Sequence, residues 1–207
     1  LNGTYLGKPV KAFQASEVFT SSLAGKENMK ARPFAQKLCV SSKGSVDCIK
    51  NASLEEGQKG LLFNLSNHKV LYANGIYDKI YPASITKIMT AMLALKSGKL
   101  NDTVTITQEN VTLEAGSQVC GFVAGDQVTL DQLLHCLLVY SGNDAASAIA
   151  EYVGGTTENF VEMMNDYARQ LGCTGTHFTN PHGLQDENHY TTPYDIYLML
   201  NEAFTYP

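Results

Sequence analysis

No stretch of this 207-residue chain holds the roughly 20 consecutive apolar residues that a bilayer-spanning helix requires. Charge is also sparse: 17% of residues carry it, and the net charge is −5. That sign argues against a nucleic-acid partner, whose phosphates would be repelled, and against membrane attachment through a basic surface. There is no internal repeat, and the sequence starts at Leu1, not Met, without opening on a charged-then-apolar stretch. Such a start is expected of a processed mature form or a trimmed chain. The five cysteines, Cys39, Cys48, Cys120, Cys136 and Cys173, are too scattered for a zinc-site spacing, so no metal or other cofactor is implied. Cys39 can close a small loop with Cys48, and Cys120 can pair with Cys136. Alternatively, Cys136 and Cys173 are small buried apolar residues. What remains is ordinary for a globular protein: 44% apolar residues in a length that builds one sizeable core with a short appendage.

The chain changes character near residue 58. Residues 1–57 carry no long periodic segment and read as a leader or loosely ordered extension of unknown role. Beyond them, 60–65 and 69–74 are short apolar runs separated by Ser66-Asn67-His68, which is turn chemistry, so a β-hairpin is expected. Apolar residues at 85, 88, 89, 92, 93 and 95 then follow helical spacing, with Gly98 as a stop. Thr103 to Thr107 alternates like a short strand. Thr129 and Gln132 have capping-box spacing for a helix through Leu137 and Leu138. Ser141-Gly142-Asn143 interrupts that helix, and an alanine-rich helix resumes from Asp144. Two more helices are expected, one from near Thr157 to Gly172 and one with Pro193 in its first turn. The map is a hairpin followed almost entirely by helix. Two strands alone make no stable sheet, so something must pair with them or cover them.

Two motifs stand out. Ser84-Ile85-Thr86-Lys87 sets a hydroxyl and an amine three residues apart, on one face of a helix. A buried, unprotonated lysine there can take the serine proton, and the backbone N–H groups of the helix start suit an oxyanion. Alone the pattern is weak, because about one Ser-x-x-Lys is expected by chance in a chain of this length. The chain has its own decoy, Ser66-Asn67-His68-Lys69, in the turn. The plain reading of Ser84 is a helix N-cap beside a solvated lysine. Ser141-Gly142-Asn143, between two helices, can present two polar side chains into a cleft; its plain reading is a helix-breaking turn. Together, in this order and these settings, the two are far more specific.

Residues 59–95, with strand, turn, strand and then Pro82-Ala83-Ser84-Ile85-Thr86-Lys87, resemble the opening of the serine D-alanyl-D-alanine carboxypeptidases of the penicillin-binding protein and serine β-lactamase superfamily. Ser141-Gly142-Asn143-Asp144-Ala145-Ala146 resembles their second motif. Asn180-Pro181-His182-Gly183-Leu184, followed by Thr191-Thr192-Pro193-Tyr194-Asp195, is similar to a later signature. The resemblance implies an α/β fold of the α+β type, a helical cluster against an antiparallel sheet. Of that sheet only the N-terminal hairpin would lie in this chain, so that 58–207 form the N-terminal and helical part of the catalytic domain. It implies acyl transfer through an ester on Ser84, with Lys87 as general base, Ser141 relaying protons to the leaving amine and Asn143 holding the substrate. The substrate would be a peptidoglycan stem peptide, β-lactams would acylate Ser84, and the protein would act in the bacterial cell envelope, outside the cytoplasmic membrane. His182 is expected to order its loop and not to act as a base.

The pattern departs from the family in one place. The third motif, Lys-Thr-Gly or Lys-Ser-Gly on a strand, should follow the last helix, but the chain ends at Pro207. Lys96-Ser97-Gly98 has the letters but sits ahead of the second motif and reads as a helix C-cap. A C-terminal fragment of the same polypeptide is therefore expected as a partner completing the sheet. Two rival functions remain: a class A type β-lactamase, which needs a glutamate to activate a deacylating water and finds only Glu187 between 174 and 190, with no recognisable setting for it, and a non-catalytic penicillin or wall-fragment-binding remnant.

Overall fold

Residues 3–5, 8–10, 38–41, 44–47 and 54–206 are described by the computed structural model of the chain. They fall in two compact units. The first holds the described residues up to Val40 together with Asn64–Lys69. Its backbone includes a short antiparallel pair, β1 (Gly3–Tyr5) and β2 (Lys8–Val10). Its Asn64–Lys69 turn is built by amide side chains: Asn64 Oδ1 accepts from the backbone N–H groups of Ser66 and Asn67, and Asn67 Oδ1 accepts from that of Lys69.

The second unit holds Ser41–Phe63 and the chain from Val70 onward. The predicted hairpin is present as β4 (Gly60–Asn64) and β5 (Lys69–Asn74), but it has a third strand, β3 (Val46–Asp47), antiparallel to β5 with Val46 opposite Ala73. The sheet order is β3-β5-β4. The segment read as a loose extension thus contributes to the sheet, through a strand too short to show periodicity. Cover for the sheet comes from aromatic rings: Phe63 meets Tyr197 edge-on at 4.9 Å between centroids, and Tyr77 meets Tyr194 at 5.3 Å.

The helices follow the sequence pattern closely. A 3₁₀ turn (Ala83–Thr86) leads into α1 (Lys87–Ser97), which ends where Gly98 takes the left-handed conformation at φ 69°. Lys96, in the last turn, lies 3.8 Å from the Tyr167 ring centroid, so Lys96-Ser97-Gly98 is the helix stop expected of it. β6 (Thr103–Thr105) pairs with β7 (Gln127–Thr129), a strand the sequence pattern did not reveal. Between them lies the single turn α2 (Gln108–Val111). Thr129 caps α3 (Leu130–His135) through the predicted box with Gln132, and a π-helical turn (Cys136–Tyr140) carries on to Ser141. α4 (Asn143–Gly154), α5 (Thr157–Gln170) and α6 (Pro193–Ala203) complete the unit.

α1 is the central helix, packed against α4, α5, α6 and the π turn. Met89, Ala91, Met92, Leu93 and Ala94 are all buried, as are Leu133, Ile149, Phe160 and Met164 from its neighbours. The two ends of α1 therefore have different settings: apolar packing holds its body, while its first turn opens onto polar loops. The result is the expected α+β arrangement, helices gathered against an antiparallel sheet.

Candidate active site

Ser84 sits in the 3₁₀ turn and not in the α-helix proper, whose first residue is Lys87. In 3₁₀ geometry residues three apart are eclipsed, which aligns the two side chains more closely than an α-turn would. Lys87 Nζ lies 3.2 Å from Ser84 Oγ. Ala83, just before the serine, has a positive φ of 48°, a conformation costly for a residue with a Cβ. Ser84 itself is exposed, whereas Lys87 is buried at 3% exposure.

Three acceptors surround the Lys87 amine: Ser84 Oγ, Asn143 Oδ1 at 2.7 Å and the His182 carbonyl oxygen at 3.0 Å. Burial pushes its pKa down from 10.5 to about 8. A charged amine spends its three protons on these three acceptors. A neutral amine keeps two for Asn143 and His182, which leaves its lone pair directed at Ser84 Oγ. Ser141 donates to Ser84 Oγ at 3.1 Å. Of the four predicted residues, Lys87 and Ser141 thus meet the Ser84 hydroxyl, and Asn143 joins them through the Lys87 amine.

Each wall of the site has its own anchor. Ser141 closes the π turn in a left-handed conformation (φ 63°, ψ 34°), and the Gly142 N–H reaches back to the Cys136 carbonyl at 3.1 Å. Behind it, Asp144 is almost fully buried and accepts from the N–H groups of Cys120, Gly121 and Phe122. The Asn143 N–H donates to the Gln118 carbonyl at 2.7 Å. The 118–122 loop is thereby fixed to the start of α4.

The opposite wall is the Asn180-Pro181-His182-Gly183 turn. Asn180 Oδ1 accepts from the Gly183 N–H at 2.7 Å and its amide donates to the Leu184 carbonyl. This holds the Pro181 carbonyl against Thr90 Oγ1 at 2.6 Å and the His182 carbonyl against Lys87. Gly183, at φ 89°, passes so close to the Ala83 carbonyl that no Cβ fits there. His182 accepts the Leu184 N–H at Nδ1, and burial, helped by Lys87, pushes the ring down to about 4. It orders the loop as a neutral ring.

Sequence reasoning missed His189. It is buried, and the Thr179 N–H donates to its Nδ1 at 3.1 Å. The neutral ring then carries its proton on Nε2, which lies 2.7 Å from Thr86 Oγ1. Burial again pushes it down to about 4. The Thr179–His189–Thr86 chain pins the turn bearing Ser84 to the far loop. Asp144 was equally unmarked; an acidic residue in the first turn of α4 was the available signal.

Among the described residues no cluster of His, Cys, Asp or Glu could hold a metal, and Cys39, Cys120, Cys136 and Cys173 are thiols. Cys48 lies outside the described residues. Glu187 is exposed, and its carbonyl accepts from Lys79 at 3.2 Å. No helix among the described residues is long and apolar enough to cross a membrane.

The family model described as D-alanyl-D-alanine carboxypeptidase matches residues 50–206. The chain is 37% identical over 155 residues to the D-alanyl-D-alanine carboxypeptidase DacF of Bacillus subtilis, covering 73% of this chain and 40% of that protein. It is 39% identical over 149 residues to DacC of Escherichia coli, covering 67% and 37%. Among solved structures, a D-alanyl-D-alanine carboxypeptidase from Mycobacterium tuberculosis superposes with a TM-score of 0.70 at 31% identity, covering 78% of this chain and 62% of that one. The chain thus spans about two fifths of the length of these two curated relatives. With the family model matched over residues 50–206 and relatives more than 30% identical over two thirds or more of its length, this chain belongs to the D-alanyl-D-alanine carboxypeptidase family.

Proposed function

We propose that the protein removes the terminal D-alanine from peptidoglycan stem peptides through an acyl-enzyme on Ser84. The observation that carries this reading is the buried Lys87 amine, held 3.2 Å from Ser84 Oγ with its other two partners fixed. Ser84 Oγ attacks the carbonyl between the last two D-alanines while Lys87 takes its proton. Ser141, within 3.1 Å of the same oxygen, passes a proton to the departing amine, and the C–N bond breaks. Water then cleaves the ester and frees Ser84. Asn143 orients Lys87 and offers its amide N–H groups to the substrate backbone. A β-lactam presents a similar carbonyl and leaves Ser84 acylated.

The reading includes a place and a missing part. Its substrate lies in the cell envelope, outside the cytoplasmic membrane. Among the described residues β4 is the end strand of its sheet, and Leu62 on it is 48% exposed, so this edge suits further strands of the same polypeptide bearing a Lys-Thr-Gly or Lys-Ser-Gly sequence. Intact-mass analysis of the folded material should find those strands, either on the same chain or as a separate fragment. A cooperatively folded, active monomer of residues 1–207 alone would refute that part.

The activity test is release of D-alanine from a pentapeptide ending in D-Ala-D-Ala by the full-length polypeptide. Release that disappears in Ser84→Ala, with a long-lived penicillin adduct, supports the carboxypeptidase. Fast penicillin turnover without D-alanine release would make it a β-lactamase. An adduct without release of D-alanine would make it a penicillin-binding remnant.

A further inference from the structure

Two cysteines meet behind the second motif. Cys136 opens the π turn that delivers Ser141, and Cys120 belongs to the loop fixed by Asp144. Cys120 Sγ lies 3.8 Å from the Cys136 carbonyl oxygen, and the nearby Cys136 thiol helps raise the Cys120 pKa. That carbonyl is the one that accepts the Gly142 N–H. The Cys120 sulfur in turn fills the space where a Cβ on Gly142 would lie. Neither cysteine is fully buried, so a small reagent can reach the pair. The other two described thiols have different settings. Cys39 and Cys173 are buried, and each points its sulfur at a backbone carbonyl, of Asn64 and Asp195 respectively.

We propose that Cys120 and Cys136 are a reversible disulfide site that staples the 118–122 loop to the turn carrying Ser141. The two thiols give up two protons and two electrons to an incoming disulfide. One S–S bond forms between the cysteines, and the carrier leaves as two thiols. One thiolate opens the carrier's disulfide, and burial, followed by the charges of Asp144 and Cys136, raises the Cys120 thiol. The second thiol then displaces the carrier, and the S–S bond forms. The loop so closed, residues 120–136, starts with the three N–H groups that satisfy Asp144, and the Gln118 carbonyl that receives the Asn143 N–H lies just before it. The bond ties the hydrogen bonds around Asp144 to the turn that carries Ser141. This goes beyond the proposed activity and is read independently of it.

The test uses the full-length polypeptide, folded, with oxidised glutathione as the probe. After alkylation and digestion, a peptide pair joined through Cys120 and Cys136 is expected, separable by dithiothreitol. Cys136→Ser should leave Cys120 open to alkylation. The link should form at least about tenfold faster in the folded protein than in urea, because the fold holds the thiols together. Oxidation should raise the melting temperature by about 5–10 °C, as expected for closing a loop of this size. Full alkylation of both cysteines after oxidation, or linkage no faster than in the unfolded chain, would overturn the proposal. The mapping needs only the unmutated protein, so it stands even if Cys136→Ser folds poorly.

Discussion

The chain writes the same letters twice, Ser-x-x-Lys at 66–69 and again at 84–87, and the structure gives them opposite settings. At 66–69 the four residues are all exposed and form a hairpin turn shaped by the Asn64 and Asn67 side chains. At 84–87 a 3₁₀ turn eclipses the two side chains, and the apolar body of α1 pulls the lysine out of water. The difference is one of environment. A lysine in solvent holds its proton and points nowhere in particular, whereas one buried among three fixed acceptors loses basicity and gains direction. The lesson is that a motif of this kind is made by burial and local geometry, and its letters are only a precondition.

That contrast can be broken residue by residue. The largest effect is expected at the hydroxyl: Ser84→Ala should lower penicillin acylation of the full-length protein by about 10⁴-fold or more, while Ser66→Ala stays within about twofold. Loss of the amine comes next. Lys87→Ala should cost about 10²–10⁴-fold in acylation rate and Lys69→Ala nothing measurable. The unmutated protein should also show the titration of Lys87. With its pKa lowered to about 8, the amine is neutral above that pH, so the acylation rate should fall about tenfold per unit below it and level off above it. Folding stability carries the same signature. Between about 8 and 10.5 the folded state binds fewer protons than the unfolded chain, so the cost of burying Lys87 fades as pH rises through that window.

Smaller effects sharpen the comparison by loosening the surroundings that the 66–69 turn lacks. Gly183→Ala forces a Cβ against the Ala83 carbonyl and should displace the nucleophile turn, lowering acylation by about 10²-fold with little change in secondary structure by circular dichroism. His189→Ala removes the partner of Thr86 and Thr179 from a buried site. It should cost about 2–4 kcal/mol in urea unfolding, more than any change on the exposed turn.

Much of this was legible before the structure. The stop at Gly98, the Thr129–Gln132 capping box and the apolar stripes of α1 and α5 are local signals, and each element formed where its signal lay. The four motif residues were legible because their chemistry is distinctive. What stayed hidden is non-local or too short for a period. β3 has two residues, and β7 has three that declare themselves only by pairing with β6. His189 joins Thr86 across 103 positions, and the need for glycine at 183 arises solely from the approach of Ala83. The 3₁₀ turn was expected as α-helix, since both states accept the same residues and packing decides between them.

The most direct measurement is to label the full-length protein with a fluorescent penicillin at pH 8, digest it and locate the modified residue. One adduct on the peptide bearing Ser84, absent from Ser84→Ala and unaffected by Ser66→Ala, is the predicted result. An adduct that survives Ser84→Ala, or that maps to another serine, would contradict the assignment of the buried amine and its neighbouring hydroxyl as the reactive pair.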